Sequence, residues 1–363
     1  MTLVREGSSK VEKFEGASTA LITPLTDDGK VSFATLERLV EYQIENNIHN
    51  LVPLGTTGMG PLLREISEDD YYKVLKTVIK TVDGKVPVIA GCGAIPTEEA
   101  VKTTRNAKEL GADAALHDTG YKIGTSQEGF KQYFERVGNV GIPIIMYDVR
   151  GRGHPPIEPL TRIYIAKSVP AVVGIKEASG NFDQMRETRR LARKYGFDKH
   201  TFKIISGDDP NTYKICSDPE IEGVGVISVM SNLLPHKYVE LVEFLLAGEY
   251  EKAKKLDETL GELNGIVGVK TKHRIRIDGD EYEIQENYRN PEAIQFAAYL
   301  LGMIPSPRLI HPLGVLNRDG QKIVEGTLFN LYKSHPEYFE PLMKFFKVDI
   351  GSRFNNFYKK QLF

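Results

Sequence analysis

Cysteine is nearly absent from this chain. Its 363 residues include two, Cys92 and Cys216, too few for a disulfide framework and without the spacing of metal ligands. Excess charge of one sign is missing too: the formal net charge is −2, so no broad basic field draws nucleic acid or an anionic membrane surface. No apolar run approaches the roughly 20 residues that cross a bilayer. The polar, charged stretch from Met1 to Gly16 does not read as a secretory signal. Together these absences point to a cytoplasmic protein with neither nucleic acid nor membrane as partner. Neither a G-x-G-x-x-G turn after an early strand nor a Walker A motif occurs, which removes the usual nucleotide-binding signatures.

What is present is regular alternation. Short apolar or β-branched runs are read as strands at Ser18–Ile22, Asn50–Leu54, Val86–Ala90, Ala112–Leu116, Pro143–Tyr147, Val172–Lys176, Phe202–Ser206 and Gly223–Ser228. Their spacing is too wide for hairpins and leaves room for a helix between most neighbours, as parallel strands buried on both faces require. Ser32 is expected to open one helix, with Leu36, Leu39, Val40 and Ile44 as its buried stripe. Ser67 opens the next, followed by Glu68, Asp69 and Asp70 in the first turn, where the helix dipole favours anions. Thr97 is expected to cap another, and Gly111 to stop it. Eight such units in succession give an α/β fold, a (β/α)8 TIM barrel over residues 1–247. Residues 248–363 read as a mainly helical region with one inserted β-hairpin near 273–284. There Arg274–Ile284 alternates about Asp278-Gly279, a strong turn signal. That turn would pair Arg276 with Glu281, Arg274 with Glu283 and Ile275 with Tyr282, in a surface hairpin without chemistry.

Active sites of TIM barrels lie at the C-terminal ends of the strands. Those ends carry Gly55-Thr56-Thr57-Gly58, His117-Asp118, Tyr147 with Arg152 just beyond, Lys176 and Ser206-Gly207-Asp208-Asp209. Lys176 closes the apolar run Val172-Val173-Gly174-Ile175. Burial there would lower its pKa and make the amine a nucleophile; the alternative is a lysine paired with Glu177 or Asp148. Tyr147 ends an apolar strand as well, where a phenol can serve as a general acid–base or as a satisfied core residue. Arg152 offers a bidentate grip on a carboxylate, or is a solvated loop residue. Thr56-Thr57 between glycines suits a carboxylate ligand or a plain turn. His117-Asp118 has no further ligand at a usable spacing, so no metal is expected.

In combination these motifs resemble the pyruvate-dependent class I aldolase family that includes dihydrodipicolinate synthase and N-acetylneuraminate lyase. The stretches that carry the resemblance are Gly55-Thr56-Thr57-Gly58, Tyr147 to Arg152, Gly174-Ile-Lys176-Glu-Ala, Ser206-Gly-Asp-Asp209 and Gly225-Val-Ile-Ser-Val229, within about Ala17 to Asn232. It implies a carbon–carbon lyase in which Lys176 forms an imine with pyruvate. Tyr147 and Thr56 would relay protons, Thr57 would bind the pyruvate carboxylate, and the Ile227 carbonyl would line the site. Arg152 would receive the carboxylate of the second substrate, aspartate semialdehyde in the synthases. No metal or organic cofactor is implied, and a homodimer or homotetramer is expected.

Departures from the family pattern accompany it. Lys122, after Tyr121, stands where the synthases carry a second tyrosine that reaches a neighbouring subunit's site, and a lysine cannot relay a proton as a phenol does. Met59 replaces the usual acid, and Gly58-Met59-Gly60-Pro61 resembles aldolases acting on 2-keto-3-deoxy sugar acids. Ile95 stands in place of an asparagine that helps to hold feedback-inhibiting lysine. A 2-keto-3-deoxy sugar-acid aldolase or dehydratase is therefore the second reading. A barrel that binds a keto acid without turnover is a third, and a nicotinamide-dependent barrel reductase a more distant fourth.

Overall fold

The structure, a computed structural model, describes residues 12–118, 125–149 and 155–354. Eight short strands, apolar on both faces, form the centre: β1 Gly16–Ala20, β2 Asn50–Val52, β3 Ile89–Gly91, β4 Ala114–Asp118, β5 Ile144–Asp148, β6 Val172–Glu177, β7 Lys203–Ser206 and β8 Gly225–Ser228. All neighbours pair in parallel, and β1 pairs with both β2 and β8. The ring closes between β2 and β3 through a Leu51–Val88 bridge and backbone bonds from Leu51 N–H to Pro87 and from Gly91 N–H to Pro53. This is the TIM barrel that the alternation predicts.

Several boundaries differ from expectation. β1 runs Gly16–Ala20 rather than Ser18–Ile22, and β3 begins at Ile89 rather than Val86. Pro87 has no N–H to give a ladder and the Val88 N–H goes to the Asp113 carboxylate at 2.9 Å, so Pro87 and Val88 give the neighbouring strands their carbonyls only. β4 extends to Asp118, which brings that carboxylate to the barrel mouth.

Helices α1 (Phe33–Glu45), α2 (Gly60–Ile66), α3 (Glu68–Val82), α4 (Thr97–Leu110), α5 (Gln127–Gly138), α6 (Pro159–Ser168), α7 (Phe182–Lys194) and α8 (Thr212–Ser217) alternate with the strands, and α9 (Pro235–Leu246) returns against β1. Ser67 caps α3, accepting from the Asp70 N–H at 3.2 Å. Ser32 precedes α1 but spends its hydroxyl on Thr35. Thr97 is already the first residue of α4, with Pro96 in the cap position, so its expected capping role is not found. Gly111 ends α4 at φ +98°, a left-handed conformation that glycine takes without strain.

Beyond the barrel come α10 (Tyr250–Gly265), the hairpin β9 (Val269–Ile277) and β10 (Asp280–Tyr288), then α11 (Glu292–Leu300), α12 (Arg318–Ser334) and α13 (Glu340–Phe346). The three expected cross-strand pairs are all formed. Asp278 and Gly279 both have positive φ, 52° and 99°, as a two-residue hairpin turn demands. The hairpin is longer than anticipated. Glu283 meets Lys272 at 2.8 Å as well as Arg274 at 3.7 Å.

Candidate active site

The inner face of the barrel is filled by Ala20, Val52, Ile89, Leu116, Ile145, Ile205 and Ile227. Above this layer, at the C-terminal strand ends, opens a cavity of about 590 Å³. Ala20, Val52, Leu116 and Tyr147 belong to both, and so form its floor.

Lys176 reaches this cavity through a local irregularity. Ile144 pairs with Val172 but Ile145 with Gly174, so Val173 is an extra residue, a β-bulge. A bulge resets the in–out alternation of a strand. Beyond it, Ile175 faces the outer core, Lys176 the cavity and Glu177 the outer layer again. Gly174 permits the close approach of β7, since a Cβ there would lie 2.5 Å from the Lys203 carbonyl oxygen. Tyr147 is the registered neighbour of Lys176, whose ammonium nitrogen sits 4.4 Å from the centre of the phenol ring. The Lys176 side chain is buried, with 7% of the residue exposed.

The acids suggested as partners of Lys176 are committed elsewhere. Asp148 and Glu177 point outward, and Arg162 holds each at 2.6 Å. Arg162 is completely buried and also donates to the Ile157 carbonyl and the Thr188 hydroxyl. The two strand ends that carry Tyr147 and Lys176 are thus tied together from behind. Asp208, on the cavity wall, is the acid that senses Lys176: burial raises its pKa and the charge of Lys176 pulls it down. Asp209 is deeper, with its pKa raised to about 6 by burial while it accepts from the Val229 and Met230 N–H groups.

Thr56 and Thr57 line the same cavity. Their loop lies hard against the strands: a Cβ on Gly60 would stand 1.9 Å from the Leu54 carbonyl oxygen, and one on Gly91 2.4 Å from the same atom. The Thr57 hydroxyl oxygen accepts from the Asn290 side-chain amide at 2.9 Å, which directs the Thr57 hydroxyl hydrogen elsewhere. Ile227 packs its side chain into the barrel interior below the cavity. Met59 is buried outside the cavity, its sulfur accepting from the Ile310 N–H at 3.4 Å, so its difference from the family pattern is a packing feature. His117 is buried between Thr104 and Tyr133, both ring nitrogens engaged, and burial lowers its pKa to about 3. Among the described residues no cluster of three metal-ligating side chains occurs. Arg152, Tyr121 and Lys122 lie outside the described residues.

The sequence reading missed part of the wall. Arg64 on α2 lines the cavity, and so do Asn264, Val267, Arg289 and Asn290 from beyond the barrel. The C-terminal region therefore closes one side of the site. Position at a strand end, the signal used for the other residues, could not have found them.

Comparison with known proteins follows the same outline. Residues 13–278 match the model of the dihydrodipicolinate synthetase family. The chain belongs to that family. It is 33% identical to 4-hydroxy-tetrahydrodipicolinate synthase of Methanococcus maripaludis over 318 residues, covering 87% of this chain and 98% of the relative. The crystal structure of dihydrodipicolinate synthase from Thermotoga maritima superposes with a TM-score of 0.76 at 32% identity, covering 88% of this chain and 99% of that one. That of the Acinetobacter baumannii synthase complexed with pyruvate gives 0.76 at 28% identity, over 88% and 99%. This chain is accordingly a carbon–carbon lyase of the class I aldolase type, condensing pyruvate through a lysine Schiff base. No described helix is long and apolar enough to cross a membrane.

Proposed function

We propose that the chain condenses pyruvate with aspartate semialdehyde, and that Lys176 is the imine-forming lysine. The carrying observation is the position of Lys176. It is buried at the end of β6, turned into the cavity by the bulge and set 4.4 Å over Tyr147, while both adjacent acids are bound by Arg162. Burial disfavours the charged form of a lysine, and the free amine is the nucleophile. The amine adds to the pyruvate ketone, water leaves, and loss of a methyl proton from the imine gives the enamine that attacks the aldehyde. Tyr147, assisted by Thr56, carries the protons of these steps. Thr57 takes the pyruvate carboxylate, since Asn290 occupies its acceptor side and leaves its hydrogen to donate. The Ile227 carbonyl borders the reacting carbon, and Arg152 grips the acceptor carboxylate. The imine is its own electron sink, so the reading calls for no metal or organic cofactor.

In this reading residues 1–247 carry the chemistry and 248–363 close the cavity. The protein works as a homodimer or homotetramer, with Tyr121 and Lys122 near the interface. The 2-keto-3-deoxy sugar-acid reading loses Met59 as support, because that side chain is turned away from the cavity. Turnover with pyruvate against a panel of aldehydes tests the proposal: aspartate semialdehyde should be consumed with the highest kcat/KM. A neutral sugar-derived aldehyde favoured over it would replace the proposal with the sugar-acid reading.

A further inference from the structure

Burying a guanidinium with two carboxylates is a costly way to fill space. Apolar side chains of the same volume often hold such a place as stably, because each charge must be taken out of water. Arg162, Asp148 and Glu177 are nonetheless all buried. What the ionic cluster supplies and an apolar one does not is direction, since the guanidinium is a rigid planar fork. Arg162, on α6, sets one arm on each acid: Nη2 lies 2.6 Å from Asp148 Oδ2, and Nη1 lies 2.6 Å from Glu177 Oε1. The fork is itself anchored. Nε donates to the Ile157 carbonyl at 2.8 Å, and Nη1 to the Thr188 hydroxyl of α7 at 2.9 Å. The other Glu177 oxygen accepts from the Ser179 hydroxyl at 2.6 Å.

The two acids are registered neighbours, each one residue beyond Tyr147 and Lys176, which are registered neighbours themselves. That register needs holding. The bulge at Val173 has already shifted β6 by one residue against β5, and one further slip would turn Lys176 away from the cavity. Past the bulge the main chain supplies a bond from the Ala178 N–H to the Asp148 carbonyl at 2.9 Å. Arg162 adds a side-chain pin at the same level. We infer that Arg162 is a positioning residue for the imine chemistry: by joining Asp148 to Glu177 on the outer face, it fixes Lys176 beside Tyr147 on the inner face at the spacing that proton transfer requires. This rests on the reading of Lys176 and Tyr147 above. The cavity wall does not include Arg162, so it acts through the two strands.

Exchange of the pyruvate methyl protons with deuterium oxide, followed by NMR without any aldehyde, reads this step directly. It needs the imine and the proton transfer to the enamine, and nothing later. The variant is Arg162→Met combined with Asp148→Asn and Glu177→Gln, which keeps the bulk and leaves no buried charge unpaired. Its KM for pyruvate should stay within about twofold of native, while the exchange kcat per folded enzyme, corrected by urea unfolding, should fall on the order of tenfold to a hundredfold. Arg162→Lys keeps the charge, but one ammonium lacks the fork, so its loss should be smaller, about three- to tenfold. Should the triple variant fail to fold, Arg162→Lys decides alone. An exchange kcat within about twofold of native in the folded variant, or a loss confined to KM, overturns the inference. Borohydride trapping of pyruvate separates the two claims. A native protein that traps none sinks the Lys176 reading, whereas native trapping with unchanged exchange in the variants sinks only the role of Arg162.

Discussion

Replacing Arg162 by leucine should destabilise the protein in a way that depends on pH. Arg162 is fully buried, and the two carboxylates it joins, Asp148 and Glu177, are 1% and 0% exposed. Arg162→Leu leaves both without their cation. Removing one partner of a buried ion pair costs about 3–5 kcal/mol, and for a chain of this length that lowers Tm by roughly 4–7 °C. The sign with pH follows from the orphaned acids. Burial already raises the pKa of Glu177, and Arg162 is the main influence that lowers it. Without the guanidinium Glu177 holds its proton in the folded state at pH values where the unfolded chain has released it. Stability of the variant therefore falls as pH rises across that window, and its deficit against the native protein should be smaller near about pH 5 than near about pH 7.5. Urea unfolding of both proteins at the two pH values measures this. A deficit below about 1 kcal/mol, or one equal at both pH values, would refute the reasoning.

Three further outcomes are expected. Arg152→Ala should raise the KM of the acceptor far more than that of pyruvate, by about 2–3 kcal/mol of binding; an unchanged acceptor KM in steady-state assays would make Arg152 a solvated loop residue. His117 is held neutral, its pKa lowered from 6.5 to about 3, so the unfolded chain binds a proton in that interval that the folded one does not. At about 1.4 kcal/mol for each pH unit between them, stability should be lost as pH falls below 6.5, and His117→Asn should flatten that slope in urea titrations. Lysine should inhibit weakly or not at all, because Ile95 offers a ligand no hydrogen bond. Half-inhibition below about a millimolar, against a cost of ~1–3 kcal/mol for an unmatched polar group, would point to other residues.

Much of the fold was legible because parallel barrel strands are buried on both faces and announce themselves as apolar runs. Lys176 and Tyr147 were found for that reason, as polar ends on such runs. The alternation alone, carried from Val172 without a break, would have turned Lys176 outward. The bulge at Val173 that reverses it arises from pairing with β5 and leaves no mark in the sequence. Asp278-Gly279 located the hairpin, yet its extension to Val269 and Tyr288 is held by charged and polar cross-strand neighbours with little apolar period to read. Arg64 and Asn290 stayed hidden because they come to the cavity from a short helix and from the segment after β10. Only tertiary packing brings them there.

The most direct test of the central claim is reduction of the enzyme with borohydride in the presence of pyruvate, followed by peptide mass analysis. Lys176 should carry the reduced pyruvate adduct, and Lys176→Ala should carry none. An adduct that persists in Lys176→Ala, or no adduct on the native protein, would contradict the assignment of Lys176 as the imine-forming residue.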